Sequence, residues 1–298
     1  MERIQLTEDL SFSRIIHGLW RLNEWEMTKE ERLELIEACL ALGITTFDHA
    51  DIYGDYTNER LFGEALALKP ELRDRMEIVT KTGIKMKGNH FSDQSLSFYD
   101  TTKEHIIKQV NRSLQELGVE YVDTLLIHRP DPLMDPNEIA EAFVELKDAG
   151  KVRTFGLSNH TPAQQSLIQS RLPFMLVTNQ LELSVSELKH FEDGSVDLCH
   201  ENEMPLMAWS PLAGGRLFKD ERYAPLREKL AEIAEKIGAK KIDEVAYAWL
   251  LKHPARIMPI VGSGKIERIE SAVRSTNLSL TREQWFEILK ASRGRDVD

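Results

Sequence analysis

Residues 43–54 read GITTFDHADIYG, and this stretch is the strongest indication of the fold in the sequence. Its apolar and β-branched run is typical of a short parallel strand that is buried on both faces. Asp48 and Tyr53 follow that run, so an acid and a phenol lie at the carboxyl end of the predicted strand. In an alternating β/α barrel, the active site is built at those strand ends.

The same arrangement recurs further along the chain. Lys81 ends the run MEIVTK, and His128 ends the run YVDTLLIH. Helical segments alternate with predicted strands, which predicts one (β/α)8 barrel domain over residues 1–298. A doubly wound open sheet is the alternative, but no Gly-x-Gly-x-x-Gly turn joins a strand to a helix. The eight predicted strands are Ile15–Leu19, Thr45–Asp48, Glu77–Lys81, Val122–His128, Thr154–Ser158, Leu176–Gln180, Leu206–Ser210 and Met258–Gly262.

Three of the intervening helices have clear sequence signals. Thr28 begins one of them and is followed by Glu31, which is a capping-box pattern. Gly118 and Gly150 stand where helix-ending glycines belong. The three predicted helices are Thr28–Leu42, Thr102–Leu117 and Glu138–Ala149.

The polar stretch 83–100 is the longest irregular segment and predicts either a lid or a disordered excursion.

Composition narrows the class of protein. The chain has 298 residues, with 38 Lys and Arg against 49 Asp and Glu, a net charge of −11. This acidity argues against nucleic acid or an anionic membrane as a partner. The two cysteines, Cys39 and Cys199, are typical of reduced structural thiols. We find no signal peptide and no membrane-spanning run, so we expect a cytoplasmic protein that is a monomer or a weak oligomer.

Four residues form a candidate proton-transfer set. Tyr53 is the candidate general acid, and a cationic Lys81 beside it would lower the pKa of the phenol. Asp48 would keep Lys81 charged, and His128 would donate a hydrogen bond to a carbonyl oxygen. The set suits protonation of an oxygen while a hydride arrives at carbon. The plainer interpretation is a packed tyrosine, an ordinary ion pair and a core histidine.

Metal binding is the competing functional interpretation. His49, Asp51, His128 and Asp131 are candidate ligands, and such a site would indicate a metal-dependent barrel hydrolase. The adjacent Arg129 and the absence of His-x-His or His-Glu-x-x-His patterns argue against it. We therefore expect no metal.

The sequence resembles the aldo-keto reductases, and in particular the small bacterial members of that family. Residues 48–54 (DHADIYG) resemble the Asp-x-Ala-x-x-Tyr-Gly signature, and Lys81 and His128 occur in the family's order. Residues 156–159 (GLSN), 179–180 (NQ) and 209–212 (WSPL) also match. The resemblance extends from about Ile15 to the last helix.

The resemblance implies a barrel that binds NADP(H) without a Rossmann domain and reduces small carbonyl compounds, aldehydes or ketones. It makes Tyr53 the proton donor, supported by Lys81, Asp48 and His128. A cofactor-sensing binding subunit with negligible turnover is the alternative. Trp20, Trp25 and Tyr56 either line the substrate pocket or pack in the interior. The implied cofactor-binding residues are Gly18, Trp20, Asp48, Ser158, Asn159, Gln180, Trp209, Ser210, Pro211, Leu212, Gly214, Gly215, Arg216, Gly262, Ser263, Lys265 and Arg268.

Three parts of that cofactor set carry specific expectations. Ser158, Asn159 and Gln180 are implied to hold the nicotinamide carboxamide, and Trp209 to stack on its ring. Residues 214–216 (GGR) would let a loop approach the pyrophosphate. Residues 262–268 (GSGKIER) combine exposed amides, a helix start and two cations, which is an anion site by its chemistry. The resemblance assigns that site to the 2′-phosphate of NADP, whereas the plainer interpretation is a solvated helix start.

Overall fold

Eight short strands pair in parallel and close into a barrel in the computed structural model, which describes residues 1–88, 90, 92 and 94–296. Each strand pairs with its neighbours in chain order, and the eighth pairs with the first to complete the ring. The carboxyl ends of all eight strands therefore meet at one face. The strands are β1 (Ile16–Gly18), β2 (Thr46–Asp48), β3 (Glu77–Thr82), β4 (Val122–Ile127), β5 (Val152–Ser158), β6 (Asn179–Glu182), β7 (Met207–Trp209) and β8 (Met258–Val261).

Helices connect the strands and cover the outside of the barrel. The outward faces of the strands and the inward faces of the helices share one large apolar cluster. The helices are α1 (Lys29–Ala41), the short α2 (Tyr53–Tyr56), α3 (Asn58–Leu66), α4 (Lys103–Leu117), α5 (Pro136–Asp148), α6 (Pro162–Gln169), α7 (Ser195–Glu201), α8 (Ala224–Ile237), α9 (Ile242–Leu251), α10 (Ile266–Ser275) and α11 (Arg282–Arg293).

A second apolar cluster fills the barrel interior. Val79, Leu126 and Met207 point inward from the strands. An antiparallel hairpin of Arg3–Thr7 with Leu10–Ser13 adds Phe12, which is fully buried, to this cluster. The hairpin closes the amino-terminal end of the barrel with apolar side chains. Polar side chains are therefore expected at the carboxyl-terminal end.

The barrel confirms the predicted fold and excludes the open sheet, but one predicted strand was misplaced. We expected the sixth strand at Leu176–Gln180, and it spans Asn179–Glu182. The Thr178 carbonyl already accepts a hydrogen bond from β5, yet pairing with β7 starts only at Gln180, opposite Met207. An apolar run predicts burial, whereas the start of a strand depends on where both neighbours are in register.

The structure confirms the predicted cap at the start of α1 and the predicted glycine at the end of α4. Thr28 and Glu31 form both hydrogen bonds of the capping box at α1, and Gly118 ends α4 with a φ of 66°. The helix expected at Glu138–Ala149 begins earlier, at Pro136, because Asp135 caps it and proline suits the first helical turn. None of the helices within the described part of the chain is both long and apolar enough to cross a bilayer.

The stretch 83–100 begins and ends as a two-stranded hairpin. Ile84–Lys85 pairs with Phe98–Tyr99 in antiparallel fashion. The hydroxyl of Tyr56 donates to the Ile84 carbonyl and accepts from the Met86 amide, at 3.1 and 3.0 Å. Residues 89, 91 and 93 lie outside the described residues, so the choice between a lid and a disordered excursion stays open.

Candidate active site

The ammonium of Lys81 is the centre of the site. Lys81 lies near the end of β3, and its side chain is 0% exposed. Its Nζ donates to Asp48 Oδ2 at 2.9 Å, to the His49 carbonyl at 2.7 Å and to the Tyr53 hydroxyl at 3.0 Å. All three N–H groups of the ammonium are therefore used. The geometry holds Lys81 in one place between an acid and a phenol.

The Asp48 carboxylate balances this buried charge. Its second oxygen, Oδ1, accepts a hydrogen bond of 2.8 Å from Nε2 of Gln180. Burial is the largest single effect and lowers the pKa of Lys81, but Asp48 and Tyr53 together outweigh it, so the pKa lies above its ordinary value. Lys81 is consequently charged at neutral pH. Gln180, which we expected at the nicotinamide, thus also orients Asp48.

The Tyr53 hydroxyl reaches Lys81 because the chain turns sharply after it. Gly54, Asp55 and Tyr56 all have φ between 52° and 66°. At Gly54, a Cβ atom would lie 2.1 Å from Oδ1 of Asn58, so only glycine fits this turn. Burial raises the pKa of Tyr53, and Lys81 offsets only part of that rise. The net direction is opposite to the expected lowering.

His128 faces the phenol. Its ring meets the Tyr53 ring edge to face, with centroids 5.8 Å apart. Burial, with the nearby charges of Lys81 and Arg129, holds its pKa well below the ordinary value. A neutral imidazole has one N–H donor and one acceptor. His128 is thus a polar, uncharged group beside the Tyr53 ring.

A second hydrogen-bond chain lies across the barrel mouth from Lys81. The indole Nε1 of Trp209 donates to Asn159 Oδ1 at 2.9 Å, and Asn159 Nδ2 donates to Ser158 Oγ at 2.7 Å. Ser158 Oγ in turn donates to the Gln180 carbonyl at 3.0 Å. Asn159 has a φ of 62°, a left-handed conformation that asparagine tolerates. Gln180 therefore links this chain to Asp48.

The segment expected to bind phosphate is open and carries free cations. Ser263 Oγ accepts a hydrogen bond from the Lys265 amide at 3.2 Å, just before α10 begins. Lys265 and Arg268 are exposed, and neither side chain forms an ion pair with a residue that the structure describes. This arrangement favours an anion at the start of α10.

The loop after β7 is also shaped for close approach. Gly214 and Gly215 have φ of 63° and 92°, and nothing lies within 4 Å of the Cβ position at either residue. Ser210 has a φ of 50°, while Pro211 is buried and Leu212 packs against the outer cluster. Arg216 is exposed, with a guanidinium nitrogen 4.0 Å from Glu182.

The remaining candidates divide into exposed and packed residues. Trp20 is 57% exposed and has the Arg21 guanidinium 5.0 Å from its ring centroid. Trp25 packs on Gly264, where a Cβ atom would lie 2.8 Å from its ring. At Gly18, a Cβ atom would lie 2.6 Å from Ile260, so this glycine is required by strand packing. Tyr56 is buried below the hairpin, and Gly262 is exposed.

The four candidate metal ligands have other surroundings. Asp51 accepts from the Thr82 hydroxyl, and Asp131 from the Thr101 hydroxyl, at 2.8 and 2.9 Å. His49 packs edge to face on Phe62. Within residues 1–88, 90, 92 and 94–296, no group of three or more His, Cys, Asp or Glu side chains is arranged to hold a metal ion.

Sequence reasoning missed three residues near the site. Asn58 donates to the Leu19 and Trp20 carbonyls and so holds the loop after β1. The guanidinium of Arg129 lies 5.4 Å from the Trp209 ring centroid. Glu182 lies opposite Trp209 in the β6–β7 register. For Arg129, the available signal was its position directly after His128.

This fold agrees with the comparisons to known proteins. The model of the Aldo/keto reductase family matches residues 14–293, and the chain belongs to that family. It is 54% identical over 299 residues to the uncharacterized oxidoreductase YcsN of Bacillus subtilis, with 100% of both chains covered. It is 51% identical over 286 residues to oxidoreductase YdhF of Escherichia coli, covering 96% and 95%. The resemblance found in the sequence is confirmed.

A solved structure with lower sequence identity supports the fold. An aldo/keto reductase from Klebsiella pneumoniae, solved in complex with NADP and acetate, superimposes with a TM-score of 0.80 at 22% identity. The match covers 99% of this chain and 96% of that one.

Proposed function

We propose that this protein is an NADPH-dependent reductase of aldehydes or ketones, with Tyr53 as the proton donor. The observation that carries the proposal is the contact between the buried Lys81 ammonium and the Tyr53 hydroxyl, at 3.0 Å. Because the phenol oxygen accepts from Lys81, its own proton is free to be donated to a substrate oxygen.

The roles of the other residues follow from their contacts. Bound NADPH would supply the hydride to the carbonyl carbon. As the phenol gives up its proton, Lys81 stabilises the phenolate, and Asp48 keeps Lys81 charged and oriented. His128 would donate one hydrogen bond to the substrate oxygen and so direct it toward Tyr53. The raised pKa of Tyr53 means that the donor is protonated before the reaction.

The residues present fit a dinucleotide phosphate. The open loop at Gly214 and Gly215 would accommodate the pyrophosphate, and Lys265 and Arg268 would bind the 2′-phosphate together with Ser263. Trp209, held by Asn159, would stack on the nicotinamide ring. Ser158, Asn159 and Gln180 are the candidates for its carboxamide. A neighbour of the same fold is crystallised with NADP, which supports the choice of cofactor.

A fluorescence titration tests the cofactor. Tryptophan emission should fall in a saturable way with NADPH, because Trp209 lies at the nicotinamide site, and much less with NADH. Equal responses to both cofactors would remove the role of Ser263, Lys265 and Arg268, and no response to either would contradict the proposal.

Replacement of Tyr53 tests the chemistry. Tyr53→Phe should lower kcat for an aldehyde about 100-fold or more, because the general acid is lost. NADPH affinity should stay within about twofold, since the ring is retained. A wild-type protein that binds NADPH tightly but turns over no member of an aldehyde and ketone panel would instead support a cofactor-sensing subunit.

A further inference from the structure

The guanidinium of Arg129 lies over the Trp209 ring at the mouth of the site. Arg129 is partly buried, and no other described residue forms a hydrogen bond or an ion pair with it. Its Cζ atom lies 5.4 Å from the Trp209 ring centroid, a cation–π distance that holds the planar group in place. A guanidinium has five N–H donors. A partly buried group with so many unused donors is suited to receive acceptors from a ligand.

Glu182 lies on β6, next to the strand that carries Trp209. Its carboxylate accepts hydrogen bonds, whereas the Arg129 guanidinium donates them. Its register partner is Trp209, and paired residues of adjacent strands point to the same side of a sheet. The carboxylate is partly exposed, and its closest cation is Arg216, at 4.0 Å. Burial and the nearby Glu187 carboxylate raise the pKa of Glu182. Arg216 and Arg129 oppose that rise, so both guanidinium groups lie within electrostatic range of Glu182. Arg129 and Glu182 are nevertheless not in ion-pair contact.

Arg129 lies near the reacting groups, and Glu182 lies two residues after Gln180, whose side chain binds Asp48. Arg129 directly follows His128 and is among the charges that lower the pKa of that residue, after burial and Lys81. Its charge also acts on Tyr53. A substrate whose carbonyl oxygen meets Tyr53 and His128 would therefore place its neighbouring carbons near Arg129 and Glu182.

We propose that Arg129 and Glu182 select neutral, hydroxylated aldehydes over apolar and anionic ones, a proposal that rests on the proposed reductase activity. A hydroxyl group both donates and accepts, so adjacent hydroxyls match a donor-rich Arg129 and an acceptor-only Glu182. An apolar substrate would cover both charged groups without replacing their bonds to water, which costs binding energy. A carboxylate substrate would bind Arg129 but would be repelled by Glu182.

Kinetics with three aldehydes of similar size test the proposal. Glyceraldehyde, propanal and succinic semialdehyde carry two hydroxyls, none, and a carboxylate. Wild-type kcat/KM should be about 10-fold or more higher for glyceraldehyde than for the other two. In Arg129→Met and in Glu182→Gln this preference over propanal should fall to about threefold or less, because glyceraldehyde loses hydrogen bonds and propanal no longer covers that charged group. Arg282→Met is the matched control, because that exposed guanidinium also lies over a ring, Phe286 at 5.5 Å, but on α11.

Two further measurements separate this role from alternatives. Arg129→Lys keeps the charge but loses the planar fork, so it should lose most of the preference for glyceraldehyde. Full retention by Arg129→Lys, or an equal loss with glyceraldehyde and propanal in Arg129→Met, would assign Arg129 to tuning His128 and Tyr53 and overturn the proposal. A large loss of NADPH affinity in Arg129→Met would place the residue in the cofactor site and also overturn it.

Turnover by the wild-type protein distinguishes a failure of the substrate selection from a failure of the reductase activity. Turnover of all three aldehydes without discrimination, or a preference for succinic semialdehyde, overturns the selection by Arg129 and Glu182 and leaves the reductase intact. Turnover of none of a wider carbonyl panel overturns the reductase activity and with it this proposal.

Discussion

At the scale of single residues, the site depends on the buried charge of Lys81, which is stable only because partner groups surround it. Lys81 and Asp48 are each almost inaccessible to water, and an isolated buried charge is strongly unfavourable. Three acceptors surround the Lys81 ammonium, and two donors bind the Asp48 carboxylate. The same contacts that keep the pair folded also direct Lys81 at Tyr53. Stability and function are therefore coupled at this position.

Removal of Lys81 should cost stability as well as activity. Lys81→Met leaves the buried Asp48 carboxyl without its main partner, so we expect the free energy of unfolding to fall by about 3–5 kcal/mol. Urea denaturation of the wild type and of the variant measures this difference in the free energy of unfolding. Lys69→Met is the control, because the Lys69–Glu37 pair lies at the surface and its loss should hardly change stability. A similar small effect in both variants would show that the buried pair is not needed for folding.

The pH profile of reduction should be set by Tyr53 rather than by His128. The pKa of His128 is well below its ordinary value, so the imidazole stays neutral throughout the neutral range. Burial raises the pKa of Tyr53, so the donor keeps its proton throughout the neutral range. We expect kcat/KM to be flat from about pH 6 to about pH 9 and to fall only in more alkaline solution, where the phenol loses its proton. An increase in kcat/KM on acidification through about pH 6.5 would instead indicate a catalytic imidazolium.

At the scale of elements, the strands must approach one another closely at the mouth of the barrel. β1 and β8 are neighbours, with His17 opposite Val261. Gly18 ends β1 against the side chain of Ile260, with no room for a Cβ atom, whereas Gly262 follows β8 and has only the Gly18 carbonyl within 4 Å. The sequence resemblance suggested a cofactor role for both glycines, but the packing demands differ.

Alanine at these two glycines should therefore have unequal effects. Gly18→Ala places a methyl group 2.6 Å from Ile260 Cγ2, and the resulting strain should lower the free energy of unfolding by about 1–3 kcal/mol. Gly262→Ala should be close to neutral for stability. Thermal and urea unfolding of both variants measure the difference. Equal stability of the two variants would mean that β1 and β8 can separate at little cost.

At the scale of the whole molecule, several histidines are buried without charge. Burial lowers the pKa of His17 to about 4, of His49 to about 3 and of His160 to about 4. In the unfolded chain each would titrate near its ordinary value of about 6.5. The unfolded state therefore binds more protons at mildly acidic pH. The stability that these groups contribute is fully present above about pH 6.5 and is lost as the pH falls toward 4.

Acid unfolding should reveal this contribution. Each such histidine adds about 1.4 kcal/mol per pH unit to the slope of stability between about pH 6 and about pH 4. His49→Phe removes one of them from an apolar contact with Phe62 and should make the slope shallower by about that amount. The exposed His200, changed to Gln, is the control. An unchanged slope in His49→Phe would show that His49 takes up no proton on unfolding.

Much of the fold could be predicted because its signals are local. Short apolar runs alternate with helix-period segments, and the caps at Thr28 and Gly118 depend on neighbouring residues only. The four candidate catalytic residues were selected in the same way, since each lies at or shortly after the end of such a run. The error at β6 arose where pairing with two neighbours, rather than local apolar character, sets the start of the strand.

The sequence alone determined the barrel class, the family and the four residues that meet at the strand ends, because these follow from periodicity and ordered motifs. Their hydrogen-bond partners, pKa shifts and ring contacts depend on the tertiary structure. Gln180 binds Asp48 from 132 residues away, burial outweighs Lys81 at the Tyr53 phenol, and Arg129 lies over Trp209. These features depend on strand register and on exclusion of water, which arise only when distant segments pack together.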